Sequence, residues 1–342
     1  MGEDVFAAGL AAGVPCRQDG RRPGDWRPLR VRRGVAPDGQ GAPNEAHGGS
    51  AAGSARVDLG GTAVIAAASL SIEAPSDEAP ACGVVRVSVD AAFAAAAAAA
   101  EDRGGAHSRA RQGDAGPEAA ADEIARRVQA LYAPRAGIAP DGALAGCLDA
   151  CEGAPDSPMC LVPGEAVWAL DVDCVVLSDD GNVLGAVSIA VRAALADVRL
   201  PSLLTAPSTG EGGGGLDAVA VDRDPNAFTR LDCARCPIVV TVVHAPGSPV
   251  ARPAWLMDAT AAEEAAMAAA VAFAVGPGGD ILGAHPPPAP LDAKGPPGGQ
   301  ALPVGAVGAM AEAASLAGRA LHGGLAKAEA EEAQAAPCHV LD

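Results

Sequence analysis

The chain has 342 residues, 49% of them hydrophobic but only 2% aromatic, with 24 basic and 42 acidic side chains and a formal charge of −18. That length suits one large or two modest units, and so acidic a balance argues against a free-standing nucleic-acid-binding protein. The alanine run at 94–100 is too short and too weakly apolar to span a bilayer, and the start MGEDVF lacks the basic region of a signal peptide, so a soluble, intracellular protein is expected.

Residues 1–16 read as a flexible lead-in. Arg17, Arg21, Arg22, Arg27, Arg30, Arg32 and Arg33 follow as a dense basic segment. It suits RNA or an acidic neighbour, or equally a solvated strand face. Flexible insertions rich in Gly, Pro or Ala are expected near 36–52, 91–116 and 140–158. Gly53–Gly60 and Thr62–Ile72 read as two strands joined by a Gly-Gly hairpin turn, and Cys82–Val89 as a third strand. Pro117–Tyr132 predicts an amphipathic helix with Ala121, Ile124, Val128 and Leu131 inward and Arg126 outward.

Pro163–Pro201 is the most informative stretch. Trp168, Leu170, Val172, Cys174 and Val176 alternate as one covered strand face. Asp179-Asp180-Gly181-Asn182 then supplies turn chemistry. From Asn182 the period changes to about 3.6, with Leu184, Val187, Val191, Leu195 and Val198 in one stripe. Alanines and Gly185 cover much of the rest, so the helix should be packed on more than one side. Asn182 is placed to cap it, and Pro201 is expected to end it.

Ser202–Gly215 reads as a linker-like loop. Leu216–Val221, Pro237–His244, Ala254–Asp258 and Ile281–Ala284 read as strands. Thr260 and Glu263 form a capping-box pattern, predicting a helix to about Val271. Val304 to about Ala328 reads as a long helix, followed by an acidic tail at 329–342. This alternation means α/β or α+β. Nine cysteines include a C-x-x-C at Cys233 and Cys236. Cys174 reads as a buried thiol. Cys147, Cys151 and Cys160 have no nearby histidine, and no second ligand pair is visible, so no metal site is expected. Asp171 and Asp173 share a strand face, but Asp180 lies about 20 Å further along at ~3.3 Å per residue, too far for a common ion.

Several of these stretches together resemble the RNase PH family. Asp19-Gly20-Arg21 with Arg27 resembles its opening signature, and Gly53-Ser54-Ala55-Arg56-Val57 with Leu59-Gly60 and Thr62 its first hairpin. Pro163-Gly164-Glu165, Asp171, Gly181-Asn182 and Ser188-Ile189-Ala190 resemble its central unit. Asp258-Ala259-Thr260 with Glu263-Glu264 resembles its late strand–helix junction. The resemblance implies an α/β (α+β) fold of mixed β-sheets packed with helices, built from βαβ units like those of ribosomal protein S5 domain 2. It divides the chain into subdomains at 17–201 and 216–328.

The resemblance further implies an RNA exosome subunit. Its partners would be other RNase PH-like exosome subunits in a hetero-hexameric ring, S1/KH cap subunits, and single-stranded RNA threaded through the channel, with no membrane. The setting would be the nucleus (nucleolus) and cytoplasm, and the work rRNA maturation and mRNA turnover. Active members place Gly, Thr or Ser, then Arg at the strand-to-helix turn, where hydroxyl, guanidinium and helix N-terminus hold phosphate. Here those places hold Gly181, Asn182 and Val183. Active members also carry two Asp six residues apart; the matching positions are Thr229 and Arg235, and Asp222, Asp224 and Asp232 do not reproduce the spacing. The expectation is therefore no catalytic residues, no cofactor and no metal. The alternative is a phosphate-dependent 3′-to-5′ exoribonuclease in its own right. Glu123-Ile124-Ala125-Arg126 resembles the helix by which relatives present Arg to RNA, so Arg126, Arg127 and Arg111 are the candidate RNA contacts. Ordinary surface arginines are the alternative reading.

Overall fold

The structure is a computed structural model. It describes residues 17–36, 51–92, 117–133, 158–205, 219–244, 255–288 and 302–335, apart from positions 18, 78, 223, 225, 268 and 303. The lead-in at 1–16, nearly all of the three expected insertions, Arg111, Cys147, Cys151 and the end of the tail lie outside the described residues.

Six strands form the first sheet, in the order β1 (Leu29–Arg33), β2 (Gly53–Leu59), β3 (Thr62–Glu73), β6 (Ala166–Ser178) and β4 (Val84–Asp90), with β5 (Cys160–Val162) also paired to β6. Only the β4–β6 pairing is parallel. The Gly60-Gly61 hairpin appears as expected, and the alternation along β6 buries Trp168, Leu170, Val172, Cys174 and Val176 on one face. Burial raises the Cys174 thiol to about 12, so it stays protonated as a small hydrophobe. Helices α1 (Pro117–Gln129) and α2 (Val183–Asp197) cover that face. In α1, Ala121, Ile124 and Val128 are buried, and Leu131, just past its end, is partly so.

The second sheet runs β12 (Trp255–Met257), β11 (Ile238–His244), β13 (Ala269–Val275) and β14 (Ile281–His285), all antiparallel. Helix α2 lies between the two sheets, and α4 (Val304–Ala335) packs on β11 and β13. This position explains why every residue of α2 from Val183 to Ala196 is buried. Each Val, Ile or Leu so placed stabilises the fold by roughly 1.5–3 kcal/mol. Ser188 Oγ, in the middle of α2, accepts from the Val239 amide at 3.0 Å. Arg192 is also inside, 1% exposed, with its charge met by Glu329 of α4 at 2.7 Å.

Four sequence expectations are corrected. Helix α2 stops at Asp197, not at Pro201; Val198 turns extended, and Arg199–Pro201 forms β7, paired with an unanticipated β10 (Phe228–Arg230). The supposed linker contains β8 (Leu203–Thr205), paired with β9 (Val219–Val221). Helix α3 (Ala261–Ala266) ends five residues early because the alanine-rich segment after it forms β13, hydrogen-bonded along β11. There the pairing and the burial of Val271, Phe273 and Val275 override alanine's helix propensity. Helix α4 continues to Ala335, so the expected tail begins as helix. No helix among the described residues is long and apolar enough to cross a membrane.

Candidate functional site

Two strand-to-helix junctions meet at one place. The first is the β6–α2 turn, Asp179–Asn182. The second is the β12–α3 junction, Asp258–Thr260. Gly181 has φ +84°, and a Cβ on it would fall 2.5 Å from the Ala261 nitrogen, so only glycine permits this approach. The Ala261 amide donates to the Asp180 carbonyl at 3.1 Å. Thr62 secures the turn from the first hairpin, donating to the Gly181 carbonyl and accepting from the Asp180 amide.

Only part of the N-terminal arginine segment is a solvated strand face; Arg17, Arg21 and Arg27 turn instead onto the chain's own carboxylates, a role that neither expectation gave them. Arg27 is 6% exposed; its backbone amide and guanidinium hold both oxygens of Asp258 at 2.7–3.0 Å, and the guanidinium also reaches the Asp180 and Gly181 carbonyls. Arg17 grips Glu263 through both carboxylate oxygens, at 2.9 and 2.6 Å. Arg21 adds a contact to Asp258 at 3.3 Å. Arg30 and Arg32, by contrast, stand exposed on β1. Asp258 is fully buried: burial pushes its carboxyl upward, but the hydrogen bonds and charge of Arg27 outweigh this and hold it below the usual carboxylate range.

Asn182 does not cap α2 with its side chain. It adopts a left-handed conformation (φ 55°, ψ 38°), and its Nδ2 donates to Asp258 Oδ1 at 2.9 Å. Its backbone N–H, at the start of α2, donates to Glu264 Oε1 at 2.8 Å. Burial raises the Glu264 carboxyl to about 8; the Asn182 amide opposes that shift, and the charge of Asp179 adds to it. A cleft of about 60 Å³ opens here; Asp179, Asn182, Thr241 and Glu264 are its polar lining residues, and Ile124, Leu184, Val243, Met267, Pro287 and Pro288 are among the apolar ones. None of the described residues lining it is basic.

Thr229 is exposed on β10, and Arg235 is exposed in the approach to β11. Asp224 and Asp232 accept from backbone amides two residues on, as turn-forming residues do. Arg126 is exposed, its side chain 72% accessible and paired with Glu123; Arg127 also pairs with Glu123 and donates to the Pro286 carbonyl. Asp171 pairs with Arg86 and Asp173 with Ser88 on the open sheet face. Cys233 and Cys236 are buried and form no disulfide. No group of three or more His, Cys, Asp or Glu among the described residues is placed to hold a metal ion. Glu264's place at the cleft was not anticipated; the Glu263-Glu264 pair was the only sequence signal, and the capping box accounts for Glu263 alone.

A mixed sheet and a second, antiparallel sheet on either side of a buried helix, with a turn apposed to a late strand–helix junction, define the RNase PH-like fold. The family described as 3′ exoribonuclease, domain 1 (RNase PH) matches residues 26–201, and the chain belongs to that family. It is 31% identical over 120 residues to the putative exosome complex exonuclease RRP42 of Dictyostelium discoideum, covering 35% of this chain and 34% of that protein. It is 34% identical over 88 residues to the exosome complex component RRP45 of Danio rerio, covering 26% of this chain and 18% of that protein. The matched stretches thus span 34% and 18% of these relatives' lengths. Among solved structures, the Archaeoglobus fulgidus exosome with RNA bound to the active site shares the fold at TM-score 0.58 and 18% identity, covering 94% of this chain and 98% of that one. An archaeal exosome core matches at TM-score 0.55 with the same identity and coverage.

Proposed function

We propose that the chain is a non-catalytic ring subunit of an RNA exosome, of the RRP42 type. One observation carries this reading: the donor at the start of α2, where active family members are expected to hold phosphate, is already bound to the chain's own Glu264. The nearby guanidinium, Arg27, is turned inward onto Asp258. A phosphate entering the cleft would meet Asp179 and Glu264 and no cation among the described lining residues.

The chain's work is then architectural. Two subdomains, 17–201 and 216–328, form interfaces with neighbouring RNase PH-like subunits in a hetero-hexameric ring, beneath S1/KH caps. Exposed Arg126, with Arg127 and Arg111, contributes to a channel wall that holds the backbone of single-stranded RNA without reading its sequence. In this role the protein supports rRNA processing and RNA degradation in the nucleus, nucleolus and cytoplasm. The acidic balance of the chain suits a subunit that binds RNA only within the assembly.

Incubating the purified chain with single-stranded RNA and inorganic phosphate tests the reading. No nucleoside diphosphate should be released, and the chain should co-purify with other RNase PH-like subunits. Nucleoside diphosphate release by the isolated chain would establish the phosphorolytic alternative instead.

A further inference from the structure

We propose that the end of α4 is an acid-released latch: a second proton on His322 frees the helix beyond Gly323-Gly324 and uncovers Arg192 of α2. The device stands apart from the exosome reading, and neither depends on the other.

His322 is 4% exposed, where α4 lies against the end of β13. Its Nε2 is 3.0 Å from the Val275 carbonyl, which can only accept, so Nε2 carries the hydrogen. Nδ1 is then the bare nitrogen, buried and without a hydrogen-bonding partner among the described residues. A proton added there makes an N–H with no acceptor, on a ring that has gained a charge in an apolar interior.

The surroundings give that charge little relief. Arg192 of α2, 1% exposed, already brings a guanidinium, and its Nε is unmet as well. Glu329 of α4 is the carboxylate that acts on both, and its ion pair with Arg192 spans 2.7 Å. β13 offers the Val275 carbonyl and no charged side chain, and Arg33 of β1 lines a small cavity alongside Glu329. Once His322 is protonated, two buried cations share one carboxylate. Burial, aided by the charge of Arg192, holds the imidazole below its ordinary 6.5, against the pull of the Val275 carbonyl and Glu329.

The helix is firm on one side of His322 and weak on the other. Gly318 is clamped: a Cβ there would fall 2.4 Å from Val275 Cγ1. Gly323 and Gly324 have open space around the same position, so no close approach calls for glycine, and the pair weakens the helix. From Gly323 to Glu331 only Leu325 is buried and only Glu329 half-buried. Segments with so few buried contacts open locally at the lowest cost. Because the fold favours the neutral ring, the stability it lends is complete above the 6.5 of free imidazole. That stability is lost as pH falls from there through the lowered value in the fold.

The test is amide hydrogen exchange of the full-length chain, read as protection factors at pH 7.5 and pH 5.0. Amides of Leu325–Glu331 should lose protection about tenfold at pH 5.0, while those of Met310–Ala317 and of β11 hold. His322→Gln keeps a donor toward Val275 but no ionisable ring, and should abolish the loss. Gly323→Ala combined with Gly324→Ala should reduce it by stiffening the helix, with circular dichroism confirming the fold of each variant. In the unaltered chain the His322 ring resonances should titrate together with the loss of protection. Unchanged protection at pH 5.0, an equal loss in His322→Gln, or a loss spread evenly over α4 and β11 overturns the proposal. A His322 ring that titrates near 6.5 while the helix stays protected overturns it without any variant.

Discussion

The junctions leading into α2 and α3 solve the same problem in different ways. Each turns a strand into a helix within a few residues, and each uses a non-glycine residue at positive φ, Asn182 at 55° and Asp258 at 45°. Helix α3 caps itself: Thr260 accepts from the Glu263 amide, and Glu263 accepts from the Thr260 amide. Helix α2 has no side-chain cap of its own and borrows Glu264 from α3. A local cap stabilises one helix; a borrowed one makes the longer, buried helix depend on the shorter, and both on Asp258 and its arginines.

Breaking the shared centre should cost most. Asp258→Ala leaves Arg27 buried without its carboxylate and Asn182 Nδ2 without its acceptor, so chemical denaturation should show a loss of about 3–5 kcal/mol. Gly181→Ala separates the junctions rather than removing a charge. With φ at +84° and the Ala261 nitrogen in the way, a loss of about 2 kcal/mol or more is expected from the same measurement.

Glu264→Gln sharpens the contrast, because glutamine retains the carbonyl that caps α2 but cannot ionise. The Glu264 carboxyl is raised from 4.5 to about 8, so its contribution to stability is complete below about pH 4.5 and disappears as pH climbs through 8. The unaltered chain should lose about 1 kcal/mol between pH 7 and pH 9 from this group, and thermal melts of Glu264→Gln should lack that component. Thr260→Ala touches only the self-contained cap; about 1 kcal/mol is expected, with the α2 junction undisturbed in amide hydrogen exchange.

What the sequence disclosed follows the same division between local and distant. The β6 alternation, the Gly60-Gly61 hairpin, the α2 stripe and the Thr260 box are short-range patterns, and the structure contains each. The end of α3 was misread because Ala-rich sequence favours helix until β11 offers a pairing edge. The inward role of Arg17 and Arg27 was not legible beforehand, because both meet carboxylates more than 200 residues away in the chain. Asn182 was correctly placed at the head of α2, but its side chain was not, since Asp258 competes for it from another element. Gly181, Asn182 and Val183 were legible as a departure from the family's Gly-Thr/Ser-Arg turn; that Glu264 fills the vacated donor required three dimensions.

Glu329 gives the end of the chain an unexpected hold on its middle. The guanidinium of Arg192 sits in an apolar interior, 137 residues away, and this carboxylate is its ion-pair partner. A polypeptide shortened after Ala328, where the acidic stretch looks dispensable, would keep every strand yet abandon a positive charge beneath the helix that joins both sheets. The safe place to trim is beyond that ion pair, not at the compositional boundary.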